Sequence, residues 1–176
     1  MFGLAMAWIG LTAEVDTSYV AVIVPQMVLM GLGMGLISTP ATESILMVLP
    51  PARAGVGSAV NDATREIGST LGVAVVGSFF SSIFGTALAG GAFAAVGDST
   101  LSEAQDSVAV AMATSIGDPT LLAAVQYAFM QGLHAGCFLV AAVCLLGAVA
   151  AAAALPGRGF VAPGAAELEE PALADH

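Results

Sequence analysis

The sequence predicts an all-α protein whose helices cross a membrane several times. Of its 176 residues, 58% are hydrophobic and only 9% are charged, whereas a soluble domain usually has about 25% charged residues. Three apolar runs each exceed the roughly 20 residues that a helix needs to cross a bilayer. The three basic residues are all arginines, which excludes the basic surface of a nucleic-acid-binding protein. The acids fall in short loops and near the C-terminus, so the net charge of −10 does not indicate basic partners.

Residues 1–12 are apolar but too few to cross a bilayer. As a helix they extend roughly 17 Å, against about 30 Å of hydrocarbon. No basic residue precedes them, as a secretory signal peptide would require. We therefore expect a partial span, the end of a membrane helix, followed by a short loop that contains Glu14 and Asp16.

The first complete span is expected at residues 19–49. Pro40 lies deep in this run and should kink the helix, because its ring removes one backbone hydrogen bond. Gly31 and Gly35 have GxxxG spacing, which lets a neighbouring helix approach closely in lipid. Pro50 and Pro51 then end the helix.

The second span is expected at residues 60–86, with helical character from about Gly55 onward. Arg53, Asp62, Arg65 and Glu66 make its beginning the one stretch of mixed charge. Gly68 and Gly72 form a second pair with GxxxG spacing.

A long loop at about 87–125 and a third span at 129–155 complete the membrane region, 1–158. In the loop, Thr100 and Glu103 have the spacing of a capping box for a short amphipathic helix. Gly132 and Gly136 are the third GxxxG pair. Residues 159–176 have little to bury, and we expect a disordered acidic tail.

The arginines indicate the orientation. Arg53 and Arg65 flank the corner between the first two spans, and Arg158 follows the last span. The order of the spans puts these segments on one side of the membrane. The loop with Glu14 and Asp16 and the long loop at about 87–125 are on the other side, and they have acids but no bases. The positive-inside rule then predicts a multi-pass protein of the inner or plasma membrane, with a cytoplasmic C-terminus.

The segment GLGMGLISTP at residues 31–40 and the proline corner lead into GVGSAVNDATREIGSTLG at residues 55–72. Together they resemble the C-terminal part of the drug:proton antiporters of the major facilitator superfamily, in the subgroup with fourteen spans. The last span also opens like the family, with FMQGLHA from Phe129. The resemblance covers most of residues 20–155. Its positions in the central run are Gly55, Val56, Ser58, Asn61, Arg65, Gly68 and Gly72.

The resemblance implies a part of a major-facilitator-type bundle, a proton gradient as the energy source, no cofactor, and a hydrophobic or cationic substrate in the parent transporter. A family member has two six-helix bundles, and this chain has about three and a half spans. We therefore expect a C-terminal fragment of a multidrug efflux antiporter, whose partners are the bilayer and the missing N-terminal helices. Two alternatives remain: a small autonomous transporter that works as an oligomer, and a non-transporting accessory subunit.

Glu43 is the first candidate for transport chemistry. A carboxylate three residues after a proline in an apolar run is costly unless it is paired or hydrated. It is either a proton-coupling or cation-recognising acid or an interfacial acid that Arg53 or Arg65 satisfies.

Asn61, Asp62 and Arg65 are the other transport and gating candidates. Their spacing of three and four residues places them on neighbouring turns of one helix. Arg65 is either a cytoplasmic gate residue or an interfacial anchor. No triad or paired-carboxylate pattern indicates an enzyme, and no His or Cys spacing indicates a metal site. His134 is expected to be interfacial or hydrogen-bonded, and the methionines to face lipid or to pack. The glutamines are expected to pack, with bonding across helices or lining a pathway as the alternative: Gln26, Gln126 and Gln131.

Overall fold

The computed structural model describes the backbone of residues 1–48, 50 and 53–154, and the side chains of these residues except 39–48 and 154. The described residues form helices and turns, without a strand, which confirms the all-α prediction. The longer helices are α1 (Phe2–Thr12), α2 (Val24–Val48), α3 (Ala54–Ala89), α4 (Asp98–Asp106), α5 (Val108–Thr114) and α6 (Pro119–Ala154). A π-helical turn, Tyr19–Ile23, precedes α2, and a 3-10 turn, Ala92–Ala95, follows α3.

Three of these segments are long and apolar enough to cross a membrane: Tyr19–Ser38, Ala54–Ala89 and Pro119–Ala153. The chain is therefore a multi-pass membrane protein by the length and composition of its helices. It divides into two units, Met1–Leu145 and Leu146–His176. Only residues 146–154 of the second unit are described, as the end of α6. The predicted acidic tail, 159–176, lies outside the described residues.

A hairpin at residues 13–18 joins α1 to α2, and the two helices pack against each other. At one end a Cβ on Gly33 would lie 2.6 Å from the Phe2 backbone nitrogen, so only glycine allows this approach. At the other end the Gln26 amide donates to Thr12 Oγ1 over 2.8 Å. The two contacts show that α1 and α2 are antiparallel.

A π-helical turn begins the first span. Val24 N–H donates to the Tyr19 carbonyl five residues earlier, which is π-helical geometry. Pro25 follows the turn and has no N–H to donate. Ser18 caps the turn by accepting from Ala21 N–H at 3.5 Å.

Helix α6 begins at Pro119, about ten residues before the expected start of the third span at 129. Asp118 caps it, since its Oδ1 accepts from Thr120 N–H at 2.8 Å and Leu121 N–H at 3.3 Å. These two backbone hydrogen bonds hold the pKa of the Asp118 carboxyl below its usual value. Proline at the first helical position needs no N–H partner and has a helical φ, which favours the start at residue 119.

The expected loop at 87–125 contains α4 and α5, and together with the ends of α3 and α6 it forms a hydrophobic cluster. We call residues 85–118 the cap. Thr100 lies within α4, whose N-cap is Gly97, so it is not the first residue of a capping box. Ser107 caps α5 instead, accepting from Val110 N–H. The members of the cluster are Phe84, Leu88, Phe93, Ala104, Ala111, Val125 and Ala128.

Candidate functional site

The predicted gating residues lie on the first turns of α3. Asn61 is half-buried, and Asp62 and Arg65 are exposed. Among the residues that the structure describes, no ion pair joins Asp62 to Arg65. The structure thus places these side chains on one helix, with no ion pair or hydrogen bond between them among the described residues.

Glu43 lies within α2, between Val24 and Val48. Its side chain is outside the described residues, as is that of Pro40. The predicted kink at Pro40 and the predicted role of Glu43 therefore stay predictions. Glu43 lies near the end of α2, and Arg65 lies in α3, the next helix along the chain.

The glycine pair on α6 lies against α3. A Cβ on Gly132 would be 2.8 Å from two ring carbons of Phe80, and one on Gly136 would be 3.7 Å from Val76. Phe80 also stacks on Phe84, with ring centroids 6.0 Å apart, and meets Phe129 edge-on at 5.4 Å. The missing side chain at Gly132 thus leaves room for an aromatic cluster.

The other two pairs have different surroundings. Among the residues that the structure describes, none has an atom within 4 Å of a Cβ added at Gly31, Gly68 or Gly72. The close approach on α2 involves Gly33 instead, which contacts the start of α1. Equal spacing along the sequence therefore corresponds to different surroundings in the structure.

A cavity of about 460 Å³ lies between α1, α2 and α6. We call it the methionine cavity, because four of its lining residues are methionines from three helices. Glu14 and Thr17 of the hairpin form part of its wall. The complete lining is Met6, Ile9, Ala13, Glu14, Thr17, Ile23, Gln26, Met27, Met30, Met130, Leu133 and Cys137.

Hydrogen bonds fix the polar wall of this cavity. Gln26 is 3% exposed, and its amide donates to Thr12 Oγ1, which in turn donates to the Trp8 carbonyl at 2.9 Å. Thr17 Oγ1 accepts from Glu14 N–H at 2.6 Å. Since these groups already have partners, the side chains left to meet a ligand in the cavity are mostly apolar or contain sulfur.

A second cavity of about 450 Å³ adjoins the first and is more polar. Its wall includes Glu14, Gln126, Tyr127, Gln131 and His134. The Nε2 of His134 lies 2.7 Å from the Ala13 carbonyl, and since a carbonyl only accepts, the ring N–H is the donor. This bond joins α6 to the hairpin, and it places a histidine and a carboxylate on the same cavity wall.

The sequence identifies the glutamines and His134 as polar residues within apolar runs, but it does not show that they line the same cavity as Glu14. The methionine spacing is the one signal that could have been used, because Met27 and Met30 share a face of α2. Among the residues that the structure describes, no group of three or more His, Cys, Asp or Glu residues is placed to hold a metal ion.

The chain is similar to two named mycobacterial proteins. It is 32% identical over 65 residues to "Multidrug efflux pump LfrA" of Mycolicibacterium smegmatis. It is 37% identical over 78 residues to "Multidrug resistance protein Stp" of Mycobacterium tuberculosis. No family model and no solved structure matches the chain.

These similarities cover a minor part of each protein. The matched residues are 37% and 43% of this chain, but only 13% and 14% of the two relatives. Both relatives are named for multidrug efflux or resistance. Their names agree with the three helices of membrane-spanning length in this chain.

Proposed function

We propose that this chain forms part of the helical bundle of a proton-coupled multidrug efflux antiporter of the major facilitator superfamily, in the subgroup with fourteen spans. The similarity to the two mycobacterial multidrug proteins carries the proposal. It agrees with the three apolar helices of the chain. In the complete transporter, protons that move inward down their gradient would drive the export of hydrophobic or cationic compounds.

In this proposal Glu43 is the proton-coupling acid. A carboxylate at membrane depth is costly when charged, so it readily exchanges a proton as its surroundings change between water and protein. Arg65, Asn61 and Asp62 form the gate on the cytoplasmic side. All three are already half-buried or exposed on α3, and so are available to partners that change during transport.

The proposal also places the C-terminus and the corner between α2 and α3 in the cytoplasm. Its support is the positive-inside rule, applied to Arg53, Arg65 and Arg158. The cap has four acids, Asp98, Glu103, Asp106 and Asp118, and no basic residue, which agrees with a position on the opposite side.

A chimera tests the proposal. Residues 19–154 of this chain would replace the corresponding helices of the Mycobacterium tuberculosis protein, expressed in a bacterial strain without its own efflux pumps. We expect ethidium efflux that a protonophore abolishes. A chimera that inserts in normal amounts but exports no dye would contradict the proposal.

Glu43→Gln in the chimera tests the coupling role. We expect this variant to lose protonophore-sensitive efflux, because a glutamine cannot exchange a proton. The matched control is Glu66→Gln, an exposed carboxylate on α3, which should keep the activity. Efflux by residues 1–176 expressed alone would instead favour the small autonomous oligomeric transporter.

A further inference from the structure

The methionine cavity brings sulfur ligands from three helices into one space. Met6 comes from α1, Met27 and Met30 from α2, and Met130 and Cys137 from α6. Met130 lies seven residues before Cys137, about 10 Å away along the helix, and is not grouped with the other four residues. Cys137 is buried and forms no disulfide. Thioether and thiolate sulfur are soft ligands, which select copper(I) over hard cations such as magnesium.

Contacts between α1 and α6 show which residue of α1 lies beside Cys137, and so its level, meaning its position along the helix axes. A Cβ on Gly3 would lie 2.9 Å from Cys144 Cβ, and one on Gly10 would lie 3.3 Å from Cys137 Cβ. The two helices are therefore antiparallel, and Cys137 is level with Gly10.

The two α1–α2 contacts fix the levels of the methionines in the same way. Phe2 of α1 lies beside Gly33 of α2, and Thr12 lies beside Gln26. Between these two contacts, Met6 lies beside about Met30, and Gly10 beside about Met27. Met27 and Cys137 are thus at one level, and Met6 and Met30 lie one helical turn further along, about 5 Å away. This distance is within the reach of an unbranched side chain with three rotatable bonds.

We propose that Met6, Met27, Met30 and Cys137 form a binding site for a soft monovalent cation, copper(I) in the cell. The three thioethers donate electron pairs without gaining or losing protons. Cys137 binds as a thiolate, and its proton passes to water as the metal–sulfur bond forms. The complex of a monovalent cation with one thiolate has no net charge, so it adds no unpaired ion to a lining that is mostly apolar, where such an ion is costly.

This site goes beyond the proposed efflux function and does not depend on it. The other explanation for these methionines is packing, in which flexible side chains fill an irregular gap. The two explanations predict different effects of leucine substitutions at these positions. Leucine has nearly the volume of methionine and keeps the packing, but it has no sulfur to bind a metal.

Silver(I) is a suitable probe because it has the same charge and closed d shell as copper(I) and is not redox-active in water. The experiment measures silver(I) binding to residues 1–176 purified in detergent, by calorimetric titration. The background variant is Cys144→Ala, which removes the other cysteine. We expect one silver ion per chain to bind saturably, with magnesium neither binding at this site nor competing.

The test variant is Met6→Leu/Met27→Leu/Met30→Leu, and its affinity for silver should fall by on the order of 100-fold or more. The control is Met34→Leu/Met112→Leu, two methionines that do not line this cavity. The control should bind as the background does, and all three proteins should melt at similar temperatures.

Absence of saturable silver binding would overturn the proposal. Equal affinity in the triple leucine variant and the background would also overturn it, because the ligands would then lie elsewhere. Both results leave the efflux proposal untouched, since this measurement involves no transport.

Discussion

Gly132 lies where α6 comes closest to α3. A Cβ there would be 2.8 Å from the Phe80 ring and 3.2 Å from the Phe80 carbonyl oxygen. We predict that Gly132→Ala pushes the two helices apart and lowers the free energy of unfolding by about 1–3 kcal/mol. The measurement is thermal unfolding of the purified chain in detergent.

Gly68→Ala is the matched control, because a Cβ at Gly68 has no neighbour within 4 Å. It makes the same chemical change in another GxxxG pair of the chain. We expect it to leave the melting temperature unchanged or raise it slightly, since alanine has a higher helix propensity than glycine. Equal destabilisation by both substitutions would show that close packing at Phe80 is not the cause.

The Asp118 cap predicts a dependence on pH at the start of α6. Hydrogen bonds from Thr120 and Leu121 lower the pKa of the carboxyl in the folded chain. The stabilisation is therefore fully present above the unfolded pKa of about 3.9 and is lost as the pH falls through the folded pKa. We expect faster amide hydrogen exchange at Thr120 and Leu121, relative to an unfolded peptide, as the pH falls below about 4.

Asparagine caps a helix about as well as aspartate but does not titrate. Asp118→Asn should therefore keep the protection of these two amides at low pH, whereas Asp118→Ala should lose it at every pH. If the asparagine variant lost protection together with the wild type on acidification, titration of Asp118 would not be the cause.

At the residue scale, the sequence predicts which glycines are spaced for packing but not which of them have a neighbour. The pairs that begin at Gly31, Gly68 and Gly132 have identical spacing. Only the third lies against another helix among the described residues. The difference depends on which helices are adjacent, and this is a property of the tertiary structure.

At the scale of elements, α3 is longer than a bilayer is thick. Its 36 residues extend about 54 Å, against about 30 Å of hydrocarbon. Its charged residues all precede Ile67, and the 23 residues from Ile67 to Ala89 have no charge. The first turns of α3, including Asn61 and Arg65, should therefore lie at or beyond the membrane surface.

Cysteine labelling tests this placement. In a Cys137→Ala/Cys144→Ala background reconstituted in permeable vesicles, Ser58→Cys should react with a membrane-impermeant maleimide, and Ser78→Cys should not. Both serines are exposed in the structure, so only the bilayer can protect residue 78. Equal reaction at both positions in vesicles would show that the span is placed wrongly, and detergent-denatured samples control for intrinsic reactivity.

The sequence predicts the elements unevenly. Apolar length is enough to predict that the three long helices exist. Apolar character predicts a third span at 129–155, whereas capping decides where helix α6 begins. Asp118 followed by Pro119 is the sequence signal for that start. The helices of the cap are short. Their folding depends on burying Phe93 and Ala104 against α3 and α6, and the local sequence does not reveal this burial.

At the scale of the whole molecule, the predicted topology separates two sets of charges. The corner after α2 has Arg53 and Arg65, and the cap has only acids. We predict that, in intact cells of the same cysteine-free background, impermeant maleimide labels Ser99→Cys in the cap. Ser58→Cys should react only after the membrane is permeabilised. The reverse pattern would contradict a cytoplasmic corner.

The methionine cavity belongs to the same scale. Its proposed sulfur ligands extend from Met6 to Cys137 in the sequence, and they lie within about one helical turn of each other only because α1 is antiparallel to both α2 and α6. No spacing rule for metal ligands connects such positions. Gln26 and His134 both form hydrogen bonds to other segments, and their partners cannot be named from the sequence.

The cap cluster around Phe84, Leu88 and Phe93 means that two different solvents stabilise this chain. Where α4 and α5 cover the ends of α3 and α6, water drives apolar burial. Between helices in lipid that drive is absent, and close packing takes its place. Urea acts on the water-driven part, so it should loosen the cap while the spans keep their helices, whereas a harsher detergent should separate the spans first. The chain therefore has no single measure of stability.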